Sequence, residues 1–244
     1  MFRKLKSLSL ALLAVVGVTV STGIEPGFAA SKEQVVLLHG LARSSAHMAD
    51  LEKFLEGKGY TVFNLDYRST QQDLETITAA VATEIRGKMD PSRPIHFVGY
   101  SMGGIVTRAV LNKYRPDNLG RVVQLASPNK GSEVADLLKE NILYKAIFGP
   151  AGQQLTTEDA GIDDLLGSVD YDLGVVAGNF SIDPVSSSII PGDDDGKVSV
   201  ESTKVSGMHD HIIVYASHTF FPQTDAVQEQ TLHFLRTGFF KHSQ

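Results

Sequence analysis

From Gln34 onward the sequence alternates short apolar blocks with longer amphipathic ones. "QVVLLHG" (34–40), "YTVFNLDY" (60–67), "PIHFVGY" (94–100), "RVVQLAS" (121–127), "YDLGVVAGN" (171–179) and "HDHIIVYAS" (209–217) are brief and apolar, most of them rich in β-branched residues. Strands buried on both faces of a sheet have this character. The intervening blocks carry apolar residues at helical spacing: Met48, Leu51 and Leu55 within 44–59; Leu74, Ile77, Val81 and Ile85 within 73–89; Val227, Leu232 and Leu235 within 225–239. Further helices are expected over 101–115, stopped by Pro116, and over 131–149. Residues 150–168 read as a loop with one more helical turn, and 180–208 as a long Asp/Gly/Ser/Pro-rich connection. Strands alternating with helices require right-handed crossovers, hence an α/β fold with a mostly parallel sheet and helices on both faces. Six strands without a second run of units make residues 30–244 one expected domain.

Charge then narrows the partners. The 244 residues carry 22 basic and 28 acidic side chains, a formal charge of −6. No basic run is interleaved with aromatics, so nucleic acid is an unsuitable ligand. There is no cysteine, which excludes disulfides, thiolate metal sites, a cysteine nucleophile and a lipid-modified cysteine.

Residues 1–29 differ from the rest. Arg3, Lys4 and Lys6 precede an apolar block from Leu8 to Val20, and Gly27-Phe28-Ala29 follows. A bilayer-spanning helix needs about twenty apolar residues, so the segment reads as a cleaved export signal, with an uncleaved anchor as the alternative. Its removal takes three of the 22 basic residues and one of the 28 acidic ones, leaving a mature chain at −8 that electrostatics would not draw to an anionic membrane.

In a parallel sheet, ligands bind beyond the carboxyl ends of the strands. Four polar segments fall there: "LLHGLA", "GYSMGG", "PGDDDGKVSV" and "ASHTFF". They place Ser101, Asp195 and His218 at one edge, in that chain order. A serine hydroxyl becomes nucleophilic when a neighbouring base removes its proton. Histidine suits that task near neutral pH, and a carboxylate behind it fixes its tautomer. Gly99 and Gly103 leave room for a tight turn at Ser101. The helix beginning there turns its positive end toward a developing oxyanion, for which the Leu41 and Met102 amides are the expected donors.

Other residues compete for these roles. Asp183, Asp193 and Asp194 rival Asp195, the first because it lies nearer the fifth strand. His209 and His211 rival His218 but lie at the start of the sixth strand, the wrong end for this site. The same pair alternates as a metal site would, yet lacks a third ligand nearby, so a solvated strand face is expected. His39 is expected to support the oxyanion loop; Ser127, Asn129 and Ser132 either shape a neighbouring loop or cap a helix.

On these motifs the chain resembles bacterial α/β-hydrolases of the lipase/esterase type over roughly residues 34–240. "GYSMGG" resembles their G-[HY]-S-x-G-G nucleophile turn, "HGL" their oxyanion segment, "LASPNKGS" the stretch after the next strand, and "DDGKVSVES" the segment bearing the acid. The resemblance implies the fold, the Ser-Asp-His order and hydrolysis of carboxylic esters, lipidic or of medium chain, with no cofactor, no metal and no partner protein. The family usually has eight core strands, so six imply a compact member. Acyl transfer, thioester cleavage or amide cleavage would use the same triad, and a silent binding module would keep only the scaffold. An exported, periplasmic or secreted location goes with this reading. The apolar residues of "ENILYKAIFG" are expected either to line an acyl pocket or to pack on the core.

Overall fold

The computed structural model describes residues 32–132, 149–155 and 162–242. Both the segment expected to direct export, 1–29, and most of the helix expected over 131–149 lie outside them.

Six parallel strands form one sheet in the order β2-β1-β3-β4-β5-β6. They are β1 (Gln34–Leu38), β2 (Thr61–Leu65), β3 (Ile95–Tyr100), β4 (Leu119–Leu125), β5 (Leu173–Gly178) and β6 (Asp210–Val214). β1, β3 and β5 are buried along their whole length, whereas the edge strands β2 and β6 are largely half-exposed. That difference follows from position: a central parallel strand has helices above and below it.

Two helical layers enclose the sheet. One face carries α2 (Leu74–Lys88), α3 (Met102–Tyr114) and α4 (Ile162–Leu166), packing Leu74, Ile77, Val81, Ile85, Ile105 and Val106 on Val36, Leu38, Phe97 and Val122. The other carries α1 (Ala49–Gly57) and α6 (Asp225–Thr237), whose Leu51, Leu55, Val227, Phe234 and Leu235 cover Val35, Leu37, Val98 and Val123. Each such fully buried side chain contributes about 1.5–3 kcal/mol, so the apolar stripes read from the sequence are what fix the layers.

The elements differ from expectation in detail. The block at 44–59 is a 3-10 turn, Ser45–Met48, leading into α1, and the Gln223 side chain donates to the His47 carbonyl at 2.6 Å. The connection after β5 contains a short helix, α5 (Pro184–Ser187), capped by Asp183, and an Asp194–Ser199 bridge. No helix among the described residues is long and apolar enough to cross a membrane.

Candidate active site

Among the described residues, three other than glycine adopt left-handed backbone: Ala42, Ser101 and Ala126. All follow carboxyl ends of strands, β1, β3 and β4 respectively. Such conformations persist only where the surroundings enforce them, and they cluster at functional sites. At Ser101 (φ 53°, ψ −123°) the enforcement is visible. The Ser101 amide donates to the Leu125 carbonyl at 2.8 Å, and the Gly104 amide returns to the Ser101 carbonyl at 3.0 Å. A Cβ on Gly99 would sit 2.5 Å from the Gly103 carbonyl oxygen, and one on Gly103 would overlap the carbonyl oxygens of Leu38 and His39. The serine is therefore pressed out of the turn at the head of α3.

His218 stands beyond β6, at the start of a 3-10 turn. Its Nε2 lies 3.1 Å from Ser101 Oγ, and its Nδ1 2.7 Å from Asp195 Oδ2. A carboxylate only accepts, so Nδ1 carries the proton and Nε2 faces the serine hydroxyl with its lone pair. Asp195 is almost wholly buried, and its other oxygen accepts the amides of Lys197 at 3.0 Å and Val198 at 2.8 Å. The His218 amide donates to the Asp195 carbonyl at 2.8 Å, joining the two loops twice. Although 17 positions separate Asp195 from the end of β5, its Cβ packs on Gly178, where a side chain would come within 2.9 Å. The long connection thus folds back and returns the acid to the strand end.

The competing residues other than Asp193 have side-chain partners elsewhere. Asp183 caps α5 through the Ser186 amide and pairs with Lys197 at 2.6 Å, and these contacts hold its carboxyl far below the usual range. Asp194 accepts the Ser187 hydroxyl and the Gly196 amide, both at 2.6 Å. The Asp193 carbonyl accepts the Val200 amide. His209 lies 3.6 Å from Asp172, and His211 Nε2 3.1 Å from the Thr203 hydroxyl, both at the start of β6. No group of three His, Asp or Glu among the described residues is arranged to hold a metal.

The segment after β1 approaches the serine closely: a Cβ on Gly40 would lie 3.1 Å from Ser101 Cβ. Within this turn the Arg43 amide bonds the Gly40 carbonyl and the Ala42 amide bonds Ser69 Oγ at 3.1 Å. The Leu41 and Met102 amides, the two expected oxyanion donors, have no acceptor among the described residues. His39 is fully buried and stacks on Tyr67, ring centroids 4.1 Å apart. Its Nδ1 donates to the Gly40 carbonyl at 2.8 Å, Nε2 accepts the Tyr67 amide at 3.3 Å, and the Tyr67 hydroxyl donates to the His39 carbonyl. Burial lowers its pKa despite Asp66 at 3.1 Å, so His39 is a neutral brace for the turn. Ser127, Asn129 and Ser132 contact neighbouring backbone and side chains. The Ser127 hydroxyl lies 3.5 Å from the Gly99 carbonyl, Asn129 links Gln124, Thr203 and Arg108, and the Ser132 hydroxyl lies 3.4 Å from the Lys197 carbonyl.

Tyr67, Ser69 and Tyr100 are contributors the sequence reading missed. Only Tyr100 offered a signal, as a large aromatic next to the serine; the other two reach the site through contacts across 27 or 28 positions.

The sequence profile of palmitoyl protein thioesterases matches residues 34–159. The chain is 30% identical over 129 residues to the lysosomal thioesterase PPT2 homolog of Drosophila melanogaster, covering 50% of this chain and 41% of that protein. It is 28% identical over 141 residues to human lysosomal thioesterase PPT2, covering 52% and 47%. The chain spans less than half the length of either relative. Among solved structures, the mature Bacillus licheniformis lipase BlEst2 superposes with a TM-score of 0.72 at 21% identity, covering 86% of this chain and 93% of that one. An Exiguobacterium antarcticum esterase superposes with a TM-score of 0.58 at 14% identity, covering 85% and 93%. Both share the α/β-hydrolase fold of the sheet described above. With more than half of its residues matched by that profile, the chain belongs to the palmitoyl protein thioesterase family.

Proposed function

We propose that the protein is a serine hydrolase cleaving acyl esters through Ser101, His218 and Asp195. The observation that carries this reading is the unbroken relay from the serine hydroxyl through imidazole to carboxylate, at 3.1 and 2.7 Å. His218 Nε2 takes the hydroxyl proton as Ser101 Oγ bonds to the acyl carbon. The oxyanion so formed is held by the Leu41 and Met102 amides and by the positive end of α3. The carbon–oxygen bond to the leaving alcohol then breaks, and His218 returns the proton to it. Water, deprotonated by His218, attacks the acyl-serine and releases the acid, restoring Ser101. No step calls for a cofactor or a metal.

A lipidic acyl group fits the surroundings. Ile182, Val185, Tyr215 and Phe220 are each more than half exposed, and they lie on the connections that carry Asp195 and His218. Thioester cleavage is a second reading, favoured by the family match; the same steps apply with a thiol as leaving group. Export directed by residues 1–29 belongs to the proposal too, and mass spectrometry of protein recovered from the expressing culture would reveal a mature N-terminus near Ala30.

The test is a matched series of p-nitrophenyl esters and acyl thioesters of rising chain length, with wild type beside Ser101→Ala. Turnover lost in the variant is the expected result; comparable rates would remove the mechanism. A wild-type preference for thioesters at equal chain length would select the second reading.

A further inference from the structure

The triad does not use the residue beside its nucleophile, yet Tyr100 contacts both the His218 loop and the turn at Gly40. Its side chain is essentially buried. The hydroxyl donates to the backbone carbonyl of His218 at 2.7 Å, and the ring lies 5.2 Å from the His218 ring at 42° and 5.1 Å from that of His47. On the other side, a Cβ on Gly40 would come within 2.9 Å of Tyr100 Cε1. One phenol thus supports the imidazole loop at its tip and the oxyanion turn at its edge. Burial raises the hydroxyl's pKa well above its ordinary value, so it remains a neutral donor wherever a serine hydrolase works.

His218 needs such a tie. It lies in a 3-10 turn that starts just past an edge strand, and its own amide is anchored only to Asp195. Two fixed points, amide and carbonyl, orient the peptide that carries the imidazole. We propose that Tyr100 is a positioning residue for the hydrolysis: by holding the His218 carbonyl, its hydroxyl sets the reach of Nε2 to Ser101 Oγ. A core aromatic that merely filled space would need its ring and not its oxygen.

This rests on the triad reading, and the experiment separates the two. Tyr100→Phe keeps the ring against Gly40 and His47 and removes only the donor. With active sites counted by fluorophosphonate titration, kcat should fall about ten- to a hundredfold, because misplacement of a reacting group by about 1 Å is enough for the larger loss. KM should stay within about twofold, and the rate constant of fluorophosphonate labelling should fall by the same factor as kcat. The downfield Nδ1 proton of His218 should broaden in the NMR spectrum, a change that lost packing elsewhere would not cause. In a His218→Ala background, Tyr100→Phe should cost nothing further, since the group it positions is gone. A folded Tyr100→Phe with kcat within twofold of wild type overturns the proposal, as does a full further loss in the His218→Ala background. Should Tyr100→Phe fail to fold, Tyr100→His, whose shorter ring does not reach the carbonyl, is expected to show the same loss; failure of both to fold assigns Tyr100 to the core and overturns the proposal. Ser101→Ala retaining the wild-type rate would instead strike out the triad itself.

Discussion

Chemistry depends on which of several similar side chains is left free of other partners. Four aspartates between 183 and 195 were eligible from sequence, and the structure separates three of them by what each already holds. Asp183 is engaged by Lys197 and a helix cap, Asp194 by Ser187 and Gly196, and Asp195 alone meets an imidazole. Asp195→Asn should therefore lower kcat by about four orders of magnitude by favouring the wrong imidazole tautomer, while Asp183→Asn should stay within about threefold of wild type; steady-state kinetics on a short-chain p-nitrophenyl ester check both. Ser101→Ala and His218→Ala should each lose about as much as the double variant, roughly a millionfold where the triad acts as a unit. Equal losses from Asp183→Asn and Asp195→Asn would count against the assigned acid.

Glycines make the argument at the scale of elements. Gly87 and Gly103 both lie in helices, α2 and α3, yet their surroundings are opposite. Nothing lies within 4 Å of a Cβ built on Gly87, whereas one on Gly103 would strike the backbone of β1. Gly87→Ala should accordingly stabilise the protein by about 0.5 kcal/mol through helix propensity. Gly103→Ala should destabilise it by about 3 kcal/mol or more, since neither carbonyl can retreat. Urea denaturation of the two variants side by side measures both signs. This contrast also shows what sequence conveyed about the fold. Strand and helix blocks were legible because buried parallel strands are uniformly apolar and helix stripes recur every three to four residues. The tight turn at Ser101 was legible because its glycines are local to it. Strand order, the break at Ser45–Met48 and the return of Asp195 to Gly178 were not, since each involves contacts between distant segments such as Gln223 with His47. His39 showed in the sequence as a brace for its turn, but Tyr67 and Ser69, which complete that brace, carry no local mark.

Across the fold, four wholly or partly buried histidines set the response to acid. His39, His47, His96 and His211 all have pKa values pushed down, in each case chiefly by burial, His47 to about 4. A histidine whose folded pKa lies below its unfolded value of about 6.5 takes up its proton more readily when unfolded. The stability linked to these four groups is therefore present above about pH 6.5 and is lost as pH falls through the lowered values. The melting temperature followed by circular dichroism should be level from pH 8 to 7 and decline steadily below about 6.5; an unchanged melting temperature down to pH 4.5 would contradict the linkage. Ser101 has a different consequence at this scale. Its backbone sits where a side chain is unwelcome and glycine is at ease, so the fold would be sturdier without the one group that makes it reactive. On the proposed mechanism, Ser101→Gly should therefore gain stability while losing turnover, so heat resistance and activity pull this position in opposite directions.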